Sequence, residues 1–249
     1  SYTFKNKILL LKRKLTLPYI QLITTIVKEK FFSSYGCTYS TYICNPYIIF
    51  LLRKFSEHTH KNNIAIPEYE KFSSAINKSS MKLAFDILFY TGMRSGELLA
   101  LTPVDILSSK RIDINKNYAK IKGEELFLEP KTPKAKRCIS ILDFLYNDIQ
   151  EYISKLYGIG NGDRIFYFQK TALEKEMKRV SERVGLKPIR VHDLRHSHAS
   201  MLIELGFTPL EIAERLGHES IKTTLDTYSH LYPDKDQKLA DRLNQFRKN

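Results

Sequence analysis

The chain has 249 residues, of which 43% are hydrophobic and 27% are charged, so it can bury a sizeable core. Its 40 lysines and arginines exceed its 27 acidic residues, which leaves a net charge of +13 at pH 7. This excess favours a polyanionic partner, nucleic acid first and an anionic membrane surface second; the alternative is a basic protein without such a partner.

No run of about 18 apolar residues is present, so the sequence predicts no membrane-spanning helix. The three cysteines, Cys37, Cys44 and Cys138, are odd in number and lack the spacing of a metal-ligand cluster. Free thiols of this kind are typical of a reducing compartment, which predicts a cytoplasmic protein.

The first 62 residues differ in character from the rest. Residues 1–62 are basic and rich in tyrosine, phenylalanine, isoleucine and leucine, with helices predicted at 17–32 and 47–55. Pro67 then stands where a helix can begin. We therefore predict a helical N-terminal region, 1–62, followed by the main domain at 63–249.

From Pro67 onward the pattern indicates an α+β fold, mainly α-helical, with a small antiparallel sheet. Mostly apolar residues 81–90 predict a buried helix that ends at Gly92. Short alternating segments joined by turns predict strands at 111–115, 118–122, 125–129 and 137–142. Further helices are predicted at 95–101, 143–157, 173–184, 192–205, 221–230 and 234–247, and from the cap Thr208 to Gly217.

Four segments that are far apart in sequence carry residues suited to phosphate chemistry. Arg94 stands at a helix start between two glycines, where an anion can bind. His192 and Arg195 are three apart and share a helix face. His218 follows a helix end, and Tyr228 comes ten residues later. Taken singly, each of these residues is better explained by a structural role.

The combination Arg94, His192-x-x-Arg195, His218 and Tyr228, in this order, resembles the tyrosine recombinase family, which includes phage and transposon integrases. The resemblance extends over about residues 66–231. It is strongest at 191–230, which is similar to integrases of phages and conjugative transposons.

The resemblance implies site-specific DNA recombination through a 3′-phosphotyrosyl intermediate. Arg94 and Arg195 would hold the non-bridging phosphate oxygens, with His218 as a third donor. Tyr228 would be the nucleophile and His192 the base that takes its proton. Bond energy is conserved in this exchange, so no cofactor, ATP or metal ion is expected.

The family also places a lysine on a β-hairpin, as the acid that protonates the leaving 5′-oxygen. Lys131 in Glu129-Pro130-Lys131-Thr132 matches that position, and the nearby Lys134 and Lys136 are alternatives. The same resemblance implies double-stranded DNA as partner, a homotetramer during strand exchange and association with the bacterial nucleoid.

Other roles remain open at this stage. Glu97 is predicted to position Arg94 or its helix, whereas His196 and His198 fall outside the catalytic set. The spacing of His192 and His196 also suits zinc, although Arg195 on the same turn would repel the ion. The remaining alternative is a truncated relic that binds DNA without catalysis. It is suggested by the short region before the catalytic pattern, since these roughly 62 residues do not match the family's core-binding domain.

Overall fold

The computed structural model describes residues 63–130 and 132–231, with residues 240, 243, 244 and 246. Over this part the predicted α+β fold is confirmed, mainly helical with short antiparallel strands. Within it, no helix combines the length and the apolar character that a membrane span requires. The predicted region 1–62, with its two helices, and most of the predicted helix 234–247 lie outside the described residues.

The helices begin and end where local signals place them. The described helices are α1 (Ile66–Ser74), α2 (Ser79–Thr91), α3 (Ser95–Ala100), α4 (Asp143–Ser154), α5 (Lys170–Arg183), α6 (Asp193–Glu204), α7 (Pro209–Leu216) and α8 (Ile221–Tyr228). Thr208 and Glu211 cap α7 reciprocally, and Gly217 ends it with a φ of 68°. Gly92 ends α2 in the same way, with a φ of 69°.

Helix α2 lies at the centre of the core, with most of its residues buried. The Tyr69 ring of α1 stacks on Phe89 with ring centroids 3.7 Å apart. The carboxylate of Asp86, which is buried on α2, accepts hydrogen bonds from Tyr69, Ser73 and Lys82. A buried acid is tolerated here because each of its oxygens has a donor, and these contacts fix α1 against α2.

The strands form two antiparallel sheets rather than the single sheet expected. One sheet contains β1 (Ile106–Leu107), β2 (Arg111–Ile114) and β5 (Arg137–Ser140) in the order β1-β2-β5, and the other is the hairpin β3 (Asn117–Ile121) and β4 (Glu124–Leu128). Strand β2 pairs with β5 because Ile112 and Ile139, both buried, face each other in the ladder.

The last helices surround a small second core. Helix α6 packs against α2, and α7 packs against α6 and α8. Buried side chains from these helices form the cluster Ala199, Leu202, Ile203, Ile212, Leu216 and Tyr228. Helix α8 ends at Tyr228, two residues earlier than predicted, and continues as a 3-10 turn, Ser229–Leu231. Tyr228 is therefore held by packing at a helix end.

We expect Gly92→Ala to lower the free energy of unfolding by about 3 kcal/mol, because left-handed strain adds to overpacking. A methyl group at Gly92 would lie 2.7 Å from the buried side chains of His198 and Leu216. Gly158→Ala is the matched control, since its φ of 68° is similar and nothing lies within 4 Å. It should cost only about 1 kcal/mol. Urea unfolding followed by circular dichroism measures both, and equal losses would contradict the packing argument.

Candidate active site

Arg195 joins three segments of the chain. Its buried guanidinium donates hydrogen bonds to the backbone oxygens of Gly92, at 2.8 Å, and Leu216, at 2.6 Å. Both carbonyls lie where a helix ends and acceptors need partners. Burial first, and then the charge of Arg94, lower the pKa of Arg195 to about 9, so that it remains a cation at pH 7. The two bonds use only part of its five N–H donors and fix the direction of the others.

Arg94 is oriented by Glu97, one turn further along α3. The Glu97 carboxylate accepts hydrogen bonds from the backbone N–H and from the guanidinium of Arg94, each at 2.8 Å. Arg137 donates to both oxygens of the same carboxylate, at 2.9 and 3.1 Å. Burial acts to raise the pKa of Glu97, but the hydrogen bonds and charges of Arg137 and Arg94 outweigh it and lower that pKa. Glu97 is thus an anion that both guanidinium groups share.

Arg137 also fixes the strand that follows the predicted lysine hairpin. Its Nε donates to the backbone oxygen of Arg215 at 2.9 Å, and a terminal nitrogen donates to that of Ala135 at 3.0 Å. Strand β5, helix α3 and the end of α7 are therefore connected through one side chain. Arg137 was not among the residues predicted for the site. Its signal in the sequence was Glu97, an acid within a basic motif that needs a cationic partner.

His218 lies just beyond the left-handed Gly217, on the same side as the arginines. Its Nδ1 is 2.7 Å from the hydroxyl oxygen of the buried Thr224. Burial, followed by the charges of Arg195, Arg94 and Arg137, lowers the pKa of His218 to about 4. The imidazole is therefore neutral at pH 7. If Thr224 donates to Nδ1, the proton of His218 is on Nε2, where a ligand can accept it.

The hydroxyl of Tyr228 is hydrogen-bonded to His196, with 2.7 Å between Oη and Nδ1. Only 4% of Tyr228 is exposed, and this burial raises its pKa to about 12 against the opposing effect of Arg195. His192 is the N-cap of α6, and its ring is perpendicular to that of His196 at a centroid distance of 5.0 Å. His196 was predicted to lie outside the site. Its signal in the sequence was the spacing of four from His192, which places both on one helix face.

The structure thus brings Arg94, Arg195, His218 and Tyr228 into one cluster, in which their charges influence one another. His192 lies at its edge, where the charges of His196 and Arg195 contribute, after burial, to a lowered pKa. Lys131 lies outside the described residues. Of the two alternative lysines, Lys134 is exposed in the 3-10 turn Pro133–Ala135, and Lys136 pairs with the exposed Glu129 at 3.3 Å.

A zinc site at His192 and His196 would need a third ligand. Among the residues that the structure describes, no group of three or more histidines, cysteines, aspartates or glutamates is arranged to hold a metal ion. Nδ1 of His196 is already bonded to Tyr228. The arrangement is instead a cationic cluster with a phenol, which suits an anionic substrate and nucleophilic attack on it.

The sequence of the chain is similar to those of known proteins. The sequence model of the phage integrase family matches residues 62–235. The ICEBs1 integrase of Bacillus subtilis (strain 168) is 36% identical over 195 residues, 72% of this chain and 53% of that protein. The integrase of Staphylococcus phage L54a is 31% identical over 181 residues, 66% of this chain and 51% of that protein. The chain therefore spans about half the length of the curated relatives it matches.

Solved structures show the same fold. The Tn1549 transposon integrase in complex with circular intermediate DNA has a TM-score of 0.66 at 21% identity, covering 97% of this chain and 85% of that one. The catalytic domain of bacteriophage HP1 integrase has a TM-score of 0.52 at 19% identity, covering 73% of this chain and 95% of that one. With the family match extending over more than half of its length, the chain belongs to the phage integrase family, as its resemblance to tyrosine recombinases predicted.

Proposed function

We propose that the chain catalyses site-specific DNA recombination, the integration or excision of a mobile element, through a 3′-phosphotyrosyl intermediate. The observation that carries the proposal is the gathering of Arg94, Arg195 and His218 in one cationic cluster that includes the phenol of Tyr228. The substrate class is supported by relatives named as integrases and as transposase A of transposon Tn554.

The arginines would stabilise the charge that develops on the phosphate during attack. A phosphodiester is an anion, and attack places further charge on its non-bridging oxygens. Arg195 and Arg94 are both held by other protein groups before the substrate arrives. Donors fixed in this way need no reorganisation when the charge develops, which is the main source of electrostatic catalysis. Neutral His218 would add a third hydrogen bond to the same oxygens.

The Tyr228 hydroxyl would attack the phosphorus. With a pKa of about 12, its ionised form at pH 7 costs about 7 kcal/mol, since each pKa unit corresponds to about 1.4 kcal/mol. Attack by a free phenolate is therefore disfavoured, and a base must take the proton as the bond to phosphorus forms. His192 is the base implied by the family resemblance, and His196 is the imidazole that contacts the hydroxyl.

The leaving group is the 5′-oxygen of deoxyribose, which departs easily only when it gains a proton. Lys131 is the proposed acid, on the segment between β4 and β5. Arg137, the first residue of β5, pairs with Glu97. The C-terminal end of this segment is therefore fixed beside the arginine cluster. Return attack by a 5′-hydroxyl, from the same or a partner strand, would release Tyr228 and reseal the backbone.

Double-stranded DNA is the proposed partner, and the net charge of +13 supports it. Residues 110–137 contain nine lysines and arginines against four acids, and Lys120, Lys122 and Lys134 are exposed there. We also propose a separate N-terminal region at 1–62 before a catalytic domain at 63–249, a homotetramer during strand exchange, and a cytoplasmic, nucleoid-associated location.

The alternative function, a relic that binds DNA without cleaving it, has less support. The sequence model of the phage integrase family matches residues 62–235, the segment that carries the cluster. A relic is under no constraint to keep Arg94, Arg195, His218 and Tyr228 together, and all four are present and gathered.

Tyr228→Phe should abolish the covalent protein–DNA adduct formed with a nicked suicide substrate, because it removes the nucleophilic oxygen. The adduct is measured as a slower band on a denaturing gel. Tyr157→Phe is the matched control, since Tyr157 is fully exposed, and it should leave the yield unchanged. DNA binding without an adduct in the parent chain would support the relic instead.

Arg94→Lys should slow adduct formation by about 100-fold, because lysine cannot replace two fixed guanidinium donors. Single-turnover rates at saturating DNA measure this effect. Arg179→Lys on α5, where Arg179 pairs with Glu176, is the control and should react at the parent rate. Parent-like cleavage by the Arg94 variant would remove Arg94 from the proposed set.

Excess EDTA should leave the adduct rate unchanged, since the proposed charge stabilisation comes from guanidinium groups rather than from a metal ion. The measurement compares single-turnover rates before and after dialysis against the chelator. A loss of activity that zinc or magnesium restores would contradict the metal-independent mechanism.

A further inference from the structure

His196 and Tyr228 form a pair that the family pattern does not require. Nδ1 of His196 lies 2.7 Å from Oη of Tyr228, and the rings are inclined at 57° with centroids 5.9 Å apart. The contact connects α6 to the end of α8, across 32 residues of sequence. Within the described part of the chain, His196 is the hydrogen-bond partner of the Tyr228 hydroxyl.

The elements that carry His196 and Tyr228 are both held by other contacts. On α6, the residue before His196 is Arg195, which is bonded to the backbones of Gly92 and Leu216. Tyr228 is 4% exposed and packs in the second core. The packing of Tyr228 and the bonds of Arg195 fix the positions of α8 and α6, and these positions bring the two side chains together.

Burial and the nearby charges both act on the pKa of His196, and their net effect lowers it. Burial is the first cause of its lowered pKa, and Arg195 and Arg190 act in the same direction, against Asp193. His192 also faces the ring, at a centroid distance of 5.0 Å. From the other elements, it is faced by Tyr228 on α8 and by His218, whose pKa is influenced by His196.

A neutral imidazole has one nitrogen that accepts a hydrogen bond. The phenol keeps its proton at neutral pH, because burial raises the pKa of Tyr228 to about 12. With the imidazole proton on Nε2, the Tyr228 hydroxyl donates to Nδ1 of His196. This is the geometry from which a general base takes a proton, within the distance that such transfer needs.

We propose that His196 is the catalytic residue that accepts the Tyr228 proton during strand cleavage. This inference rests on the proposed recombinase function. As Oη of Tyr228 bonds to phosphorus, its proton passes to Nδ1 of His196, and the bond from phosphorus to the 5′-oxygen breaks. The 5′-oxygen takes a proton from the acid, and His196 returns its proton to Tyr228 when the strand is rejoined.

The test is the single-turnover adduct rate of His196→Asn on a nicked suicide substrate. The Asn amide can still accept a hydrogen bond near the Nδ1 position but cannot take a proton. We expect a rate about 100-fold below that of the parent near pH 7, with DNA affinity and melting temperature retained. His196→Gln replaces it if the Asn variant does not fold.

The pH profile provides an independent readout. Protonated His196 cannot accept a proton, so the parent rate should fall on the acid side as His196 becomes protonated and should level off at higher pH, where His196 is neutral. The variants lack this base and depend on the phenolate fraction, so their rate should rise about tenfold per pH unit above neutrality.

A parent-like rate and pH profile in His196→Asn would overturn the proposal, since a hydrogen bond alone would then suffice. A slow His196→Ala beside a normal His196→Asn would overturn it too, leaving only a positioning role. If the parent chain forms no adduct, the recombinase function itself fails. An adduct in the parent that Tyr228→Phe abolishes, together with an unaffected His196→Asn, overturns the role of His196 alone.

Discussion

The rest of the site depends on the hydrogen bonds that the buried guanidinium of Arg195 donates to two backbone carbonyls. Its bonds to Gly92 and Leu216 span 103 and 21 residues of sequence. Burying a cation is costly unless donors and acceptors are matched, and here each carbonyl at a helix end gains a charged donor. Removing the side chain would leave both carbonyls without this donor and would weaken the connection between α2, α6 and α7, whose ends carry or flank Arg94 and His218.

Much of this arrangement could be predicted from the sequence, because it depends on local rules. Gly92 and Gly217 end helices in left-handed conformations, as their positions indicated. Thr208 caps α7, and the Lys122-Gly123 turn joins β3 to β4 with positive φ at both residues. These features require only neighbouring residues, and they place Arg94 and His218 just beyond helix ends.

Contacts between elements could not be predicted in the same way. His192 and His196 share one face of α6, so spacing alone cannot decide which of them meets Tyr228; the packing of α8 decides it. The bonds of Arg137 depend on how β5 approaches α3. The division of the strands into two sheets has a similar origin, because β2 pairs with the distant β5 rather than continuing into the hairpin.

Positive charge gathered in advance of the substrate has a further consequence for proton transfer. After burial, Arg195, Arg94 and Arg137 depress the pKa of His218, and Arg195 does the same to His196. A phosphodiester brings a negative charge to these groups, and an opposite charge favours the protonated imidazole. In the proposed mechanism, the imidazoles would therefore be better bases with DNA bound than without it. The proton of Tyr228 would then be accepted more readily once the substrate is in place.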